Sequence, residues 1–246
     1  TYYFQYISFI GTFEVVVHRC IWTTLILFVT TFLFGKWSIF KKILSDKKTA
    51  LILFITSILI FGNWSIWIYA VSTNKIIDAS FGYFIMPILS VFFGILFLKE
   101  PYNKQKILSV ALVIISIIYL LINYSSVPWT GLIVGITWSL YSFLRKKINV
   151  ESDIGLLIES LFVSPLALIV FYLISLDGNY YFSFSNPQIA FWLFLAGPMT
   201  VIPLFLFLKG VDLAGLGTSG MIFFIAPTGQ FLLGIFYYNE YFDFNK

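Results

Sequence analysis

Histidine and cysteine each occur once in these 246 residues, as His18 and Cys20, and only 11% of the residues are charged. A single cysteine cannot close an intrachain disulfide, and one histidine with one thiol is no ligand set for zinc. The shortage of charge excludes more. Soluble domains carry about 25% charged residues. With 60% hydrophobic residues and a mean hydropathy of +0.95, this chain has too few polar side chains to face water on all sides, so lipid must cover it. A net charge of +4 would elsewhere suggest nucleic acid. Here the bases sit in short clusters between apolar runs, which is a pattern of membrane orientation, and no nucleic-acid partner is expected. No Walker A sequence is present to suggest ATP hydrolysis. No basic stretch precedes a cleavable apolar segment, and the first residue is Thr1. The chain reads as a piece cut at both ends.

What is abundant is apolar length. Eight runs are long enough, or nearly so, to cross about 30 Å of hydrocarbon as helices: Val15–Phe34, Ala50–Val71, Ala79–Leu98, Ile107–Ile122, Trp129–Leu144, Ile154–Ser175, Ile189–Leu208 and Gly217–Tyr237. Thr1–Phe9 reads as the tail of one more. The runs are continuously apolar, unlike the alternating ten-residue segments of a barrel, so the expected fold is an all-α polytopic membrane bundle. The loops alternate in charge: those of one parity hold twelve of the fifteen Lys and Arg residues. The positive-inside rule places that set in the cytoplasm.

The chain also repeats itself. Pro87, Gly94 and Glu100 recur as Pro227, Gly234 and Glu240, and Tyr83-Phe84 recurs as Phe223-Phe224, all 140 positions apart. The register predicts two units, residues 1–124 and 127–246, which in a complete protein would hold five helices each. Five is odd, so the second unit is expected upside down relative to the first, with Glu100 in a cytoplasmic loop and Glu240 in an outer one. The first unit would lack part of its first helix and the second unit its last. Inverted repeats are an architecture of secondary transporters, which place substrate near mid-membrane where the units meet.

The segment Glu14-Val-Val-Val-His18-Arg19-Cys-Ile-Trp22 resembles the Glu-x-x-x-His-Arg-x-x-Trp segment of the RarD-like branch of the EamA family, in the drug/metabolite transporter superfamily. Gly62-Asn63-Trp64, Asp78 to Pro87, Phe97-Leu-Lys-Glu100, Leu144-Arg-Lys-Lys147, Leu157-Ile-Glu159-Ser, Ala196-Gly-Pro198 and Ile225-Ala-Pro227-Thr are similar to the same branch, in the same order. Met86 stands where the family usually has Asn, and no Gly precedes Glu240. The resemblance covers essentially the whole chain. It implies a ten-helix permease of the bacterial inner membrane, with both termini of the complete protein in the cytoplasm. The implied partners are the lipid bilayer and a small-molecule metabolite or drug, and no cofactor is implied.

Ionisable groups inside a bilayer are costly and usually face a cavity or a partner. Glu14, His18 and Arg19 cluster at the outer end of the first full span, and Glu14 and His18, four apart, share a helical face. Arg19 shifted by 140 is Glu159. These residues are expected to line a central pathway, with Arg19 meeting an anionic substrate group or pairing with Glu159. The competing structural reading leaves Glu14 and His18 in interfacial water while Arg19 snorkels. His18 can report a proton gradient or be a packed imidazole. Asn63 and Trp64, after a glycine that would let backbones approach, can hold substrate or join helices. Tyr83, Trp138 and Tyr141 are candidate cavity-lining aromatics. Pro87 and Pro227 are candidate hinges, while Gly131 and Gly135 form a packing face. The Glu100 and Glu240 turns suggest helix-end anchoring.

The favoured function is a secondary carrier of small organic metabolites or drugs that works by alternating access. A membrane-embedded enzyme would need clustered nucleophile–base pairs or metal ligands, and a channel would need polar rings or a filter loop. A non-transporting membrane scaffold is the other alternative, though it leaves the buried ionisable groups unexplained.

Overall fold

The computed structural model describes residues 2–237 except 74, 124–128, 177, 179 and 184. Twelve α-helices make up the described fold: α1 Tyr2–Tyr6, α2 Thr12–Leu33, α3 Trp37–Ser45, α4 Lys47–Ser72, α5 Ile76–Leu98, α6 Lys104–Asn123, α7 Trp129–Ile148, α8 Ser152–Leu176, α9 Pro187–Leu195, α10 Pro198–Ala214, α11 Leu216–Ile222 and α12 Ile225–Phe236. Four stretches are long and apolar enough to cross a membrane: Thr12–Leu33, Lys47–Ser72, Ser152–Leu176 and Pro187–Ala214. The other four expected runs also fall on helices, namely α5, α6, α7 and α11–α12. Large apolar side chains point outward along the bundle, among them Phe32 at 65%, Ile115 at 63% and Leu206 at 62% exposure. Such a surface is stable only against lipid. The chain is thus a multi-pass membrane protein.

The structure adds three details to the expected runs. The run Ile189–Leu208 is two helices, because Pro198 has no N–H to continue the ladder and starts α10 afresh. The run Gly217–Tyr237 is also interrupted, at Phe223-Phe224 between α11 and α12. Pro227 has no N–H to reach back to the Phe223 carbonyl. Third, the lysine-rich first loop folds as α3, whose Ile39, Phe40 and Ile43 pack on a small cluster of Leu53, Ile154 and Ile158. Lys41 and Lys42 stand on the same short helix, a division of faces suited to lying along the membrane surface.

Local signals set the helix ends. Asp46 caps α4, accepting from the Lys48 N–H at 3.2 Å and the Thr49 hydroxyl at 2.5 Å. Asn186 caps α9 by accepting from the Ile189 N–H, with Pro187 in the first turn. Lys99, left-handed at φ 55°, ends α5 and lets the Glu100 N–H return to the Gly94 carbonyl at 2.9 Å.

Two pairs of helices organise the interior. α2 and α8 pack antiparallel: as the α2-side number rises from 18 to 24 to 36, its partner falls from 171 to 164 to 153 (His18 on Phe171, Thr24 bonded to Ser164, Lys36 to Asp153). α5 packs antiparallel on α11–α12 in the same manner, with Phe84 against Phe224, Pro87 against Gly220 and Gly94 against Gly217. The first three long helices start at 12, 47 and 76, and α8, α9 and α11 start at 152, 187 and 216.

Glycine sets the closest backbone approach. A Cβ on Gly82 of α5 would lie 1.8 Å from the Gly131 carbonyl oxygen of α7, and one on Gly135 would lie 2.4 Å from the Gly82 oxygen. The Gly131/Gly135 face is therefore a packing surface, as expected. Gly62 is not: beyond its own stretch of helix, no atom of the described residues lies within 4 Å of its Cβ position.

Candidate functional site

Three polar centres lie inside the bundle, two on α2 and one on α8. The first is Glu14, 2% exposed in the first turn of α2. Its carboxylate accepts the Tyr181 N–H at 2.9 and 3.0 Å and the Phe182 N–H at 2.8 Å. A buried carboxylate holding two successive amides ties the start of α2 to the segment between α8 and α9. His18, one turn further, packs on Phe182 and Phe171 with ring centroids at 4.6 and 5.5 Å. Neither ring nitrogen of His18 has a hydrogen-bond partner among the described residues.

The second centre is Arg19. Its Nε donates to the Thr200 hydroxyl of α10 at 2.7 Å. Its guanidinium carbon lies 4.2 Å from the Trp64 ring centre and 5.2 Å from that of Phe4. These are cation–π distances, shorter and stronger on Trp64.

The third centre is Glu159, on α8. It accepts the Thr56 hydroxyl at 2.6 Å and the Tyr141 hydroxyl at 3.2 Å, and its Oε1 lies 3.4 Å from Arg145 Nε. Both members of the ion pair are 2% exposed. The Arg145 guanidinium also reaches the Ser152 carbonyl at 3.3 Å. It lies where a Cβ on residue 155 would stand, so only Gly155 admits it.

A small cavity of about 10 Å³ reaches Glu159 of the third centre and Trp64, the ring beneath Arg19. It is lined by Cys20 and Thr23 of α2, Ile60, Phe61 and Trp64 of α4, and Leu156, Glu159, Ser160 and Val163 of α8. Trp64 and Glu159 thus line one internal space. Beside it stands an aromatic group: Trp138 contacts Tyr83, Tyr141, Phe207 and Phe223 with centroids 5.4–6.3 Å away.

The family model for EamA-like transporters matches residues 2–122. The chain is 31% identical to the protein RarD of Escherichia coli K12 over 97% of its own length and 80% of that relative's. It is 33% identical to the uncharacterized transporter YojE of Bacillus subtilis over 99% and 82%. It is 32% identical to an uncharacterized transporter of Vibrio cholerae over 99% and 81%. This chain belongs to the EamA-like transporter family, on its RarD-like branch. The Bacillus and Vibrio relatives are named as transporters.

Within this EamA-family chain the expected residues fall into different roles. Glu14 and His18 do share a face and a partner segment. Arg19 and Glu159 do not pair. Each stands seven residues into its own helix, and α2 and α8 run antiparallel. Each is five residues from the Thr24–Ser164 crossing, so at 1.5 Å per residue they lie about 15 Å apart along the helices. Glu159 takes Arg145 instead, which the sequence offers as the first of three bases in a cytoplasmic loop. Arg145 lies four positions after Tyr141, on its face of α7, and that spacing was the available signal. Asn63 donates to the Val134 carbonyl at 2.8 Å and the Thr137 hydroxyl at 2.9 Å, joining α4 to α7. Tyr83, Trp138 and Tyr141 come together; Tyr141 is fully buried.

Thr56, Thr200 and the amides of residues 181 and 182 were not legible as site members. Glu100 anchors a helix end as expected: its two oxygens accept the Leu216 N–H at 2.6 Å and the Gly217 N–H at 3.0 Å. Glu240 lies outside the described residues. Pro87 sits inside α5 and Pro227 in the first turn of α12.

Proposed function

We propose that this chain is the transport bundle of a secondary permease that moves small organic metabolites or drugs across the bacterial inner membrane by alternating access. The reading divides it into two inverted units, residues 1–124 and 127–246. The carrying observation is that helices equivalent under the 140-residue repeat pack on one another antiparallel and touch through equivalent residues. Thr24 bonds Ser164 at 2.9 Å. Tyr83 meets Phe223 at 5.8 Å, and Phe84 meets Phe224 at 6.3 Å. Equivalent residues touch in this way on the two-fold axis of an inverted repeat. The family membership supports the same reading.

In this reading Arg19 and Glu159 stand at matching depths on either side of the midplane. The pathway runs between them past Trp64, Tyr83, Trp138 and Tyr141. Glu14 and His18 close its outer end, and Asn63 holds the wall where α4 meets α7. Pro87 and Pro227 are the hinges. Lys-rich loops, including α3, face the cytoplasm, as do the termini of the complete protein. The chain performs no covalent chemistry in this reading.

The test is counterflow in proteoliposomes holding the full-length protein and a metabolite panel. Saturable exchange of at least one solute is expected. Product formation without exchange points to an enzyme, and neither outcome points to a scaffold. Separately, cysteines placed at Glu100 and Glu240 should label from opposite sides of the membrane; labelling from one side removes the inversion.

A further inference from the structure

We propose that Arg19 recognises the carboxylate of a small organic monoanion whose flat apolar body lies against Trp64. The proposal rests on the transporter reading above and names the substrate class for its site.

The described spans contain two arginines in different electrostatic states. Arg145 has Glu159 as a buried counter-charge. Arg19 has no carboxylate among the described residues: its partners are the neutral Thr200 hydroxyl and the faces of Trp64 and Phe4. Glu14 cannot reach it, being five positions earlier and therefore about 140° around the helix, with both oxygens already held by amides. Glu159 lies about 15 Å away along the bundle. A cation deep among helices without an anion is costly, and in membrane proteins such groups usually meet a substrate or an ion.

The geometry leaves the right atoms open. A guanidinium has five N–H donors in a fixed fork. Nε is committed to Thr200, while no acceptor is recorded among the described residues for the two terminal nitrogens. Those nitrogens form one edge of the fork that can grip a carboxylate through two parallel bonds. Thr200 and Trp64 hold the plane in place, so little side-chain freedom is lost on binding. Both are buried, at 2% and 6% exposure, and His18 and Cys20 beside Arg19 are buried too. Arg19 itself keeps partial exposure.

Charge counting selects the class. One unneutralised guanidinium balances one negative charge. A doubly charged phosphate would leave one charge unmatched in a low-dielectric site. The aromatic side chains alongside favour a flat apolar body over a polyhydroxylated one.

The experiment uses full-length protein in nanodiscs and three probes alike in size and shape: phenylacetate, phenylacetamide and phenethylamine. Binding is measured by calorimetry. Phenylacetate should bind at least tenfold more tightly than the amide and the amine. Arg19→Gln should reduce phenylacetate to the level of the amide, and Arg19→Lys should fall between. Equal binding of acid and amide, an unchanged preference in Arg19→Gln, or no binding of any probe overturns the proposal. Should Arg19→Gln fail to fold, Thr200→Val keeps the guanidinium and removes the hydroxyl that orients the fork, together with that hydroxyl's bond to the Ala196 carbonyl. It should weaken the acid and spare the amide; an unaltered ratio overturns the assignment. Counterflow separates the two levels of the reading. Exchange of neutral or cationic solutes with no organic acid overturns this assignment and leaves the carrier standing, whereas exchange of no solute overturns the carrier.

Discussion

Thr24 of α2 and Ser164 of α8 share a hydrogen bond at 2.9 Å although 140 positions separate them. One hydroxyl donates to the other, and the accepting one donates to a carbonyl of its own helix, Thr24 to Cys20 at 2.8 Å or Ser164 to Ser160 at 2.7 Å. The pair is a polar crossing point inside an apolar bundle. It puts Arg19 and Glu159 on opposite sides of itself, which is why two residues at matching places in the repeat do not meet.

Cysteines at Thr24 and Ser164, with Cys20 replaced by alanine, should cross-link under mild oxidation, because hydroxyls at 2.9 Å place the two Cβ atoms within disulfide range. Cysteines at Thr24 and Ser175 should not. Mass spectrometry of the digested product reads the outcome, and the reverse pattern would mean that α2 and α8 do not cross there.

The Arg145–Glu159 pair should be more damaging to break than to replace. Glu159→Ala or Arg145→Ala alone leaves a buried charge without its partner and should cost about 3–5 kcal/mol. Arg145→Met with Glu159→Leu should cost much less. Thermal unfolding in detergent compares the three variants, and equal losses would show that the pair is not coupled.

Glu14 and Glu100 each hold two successive amides of the other half of the chain, at residues 181–182 and 216–217. Hydrogen bonds to a charged group are worth about 1.5–3 kcal/mol, which corresponds to roughly tenfold to hundredfold in local opening. Glu14→Ala should speed hydrogen exchange at Tyr181 and Phe182 by at least about tenfold and leave Leu216 and Gly217 unchanged. Glu100→Ala should do the opposite. Coincident changes at both places would mean that the two contacts are not independent clasps.

The glycines should divide by their surroundings. Gly82→Ala drives a methyl into the Gly131 backbone and should destabilise by about 1–3 kcal/mol or more. Gly62→Ala meets no atom of the described residues within 4 Å beyond its own stretch of helix and should be neutral or stabilise the helix by up to about 1 kcal/mol. Melting temperatures of the two variants check the ordering.

Two surface contacts should be silent near neutral pH. The hydrogen bonds from Lys36 to Asp153, and then to Glu151, raise its pKa above the ordinary lysine value. Its contribution is complete below about pH 10.4 and disappears as pH rises through the raised value. Hydrogen bonding from Thr49 lowers the pKa of Asp46, so its contribution is present above about pH 3.9 and disappears as pH falls through the lowered value. Lys36→Met should therefore lower the melting temperature equally at pH 6 and pH 9; a difference between the two would show that another group controls Lys36.

Composition and hydropathy determine, without any coordinates, that this is a helical membrane protein, because 60% hydrophobic residues with 11% charged leave lipid as the only solvent for its surface. The repeat, with Pro87 and Pro227 or Tyr83 and Phe223 in register, is a property of residue order and needs no fold to be seen. The sequence also carries the capping acids and the packing glycines, since helix ends and close helix contacts depend on local residue types. Which buried charge meets which partner is decided by tertiary structure alone. Arg145 reads as a loop base until α7 turns it toward α8 and Gly155 makes room for it. Arg19 reads as the partner of Glu159 until the antiparallel crossing of α2 and α8 carries them apart. Pairing depends on distance through space, and two residues equivalent by sequence lie at opposite depths once their helices point in opposite directions.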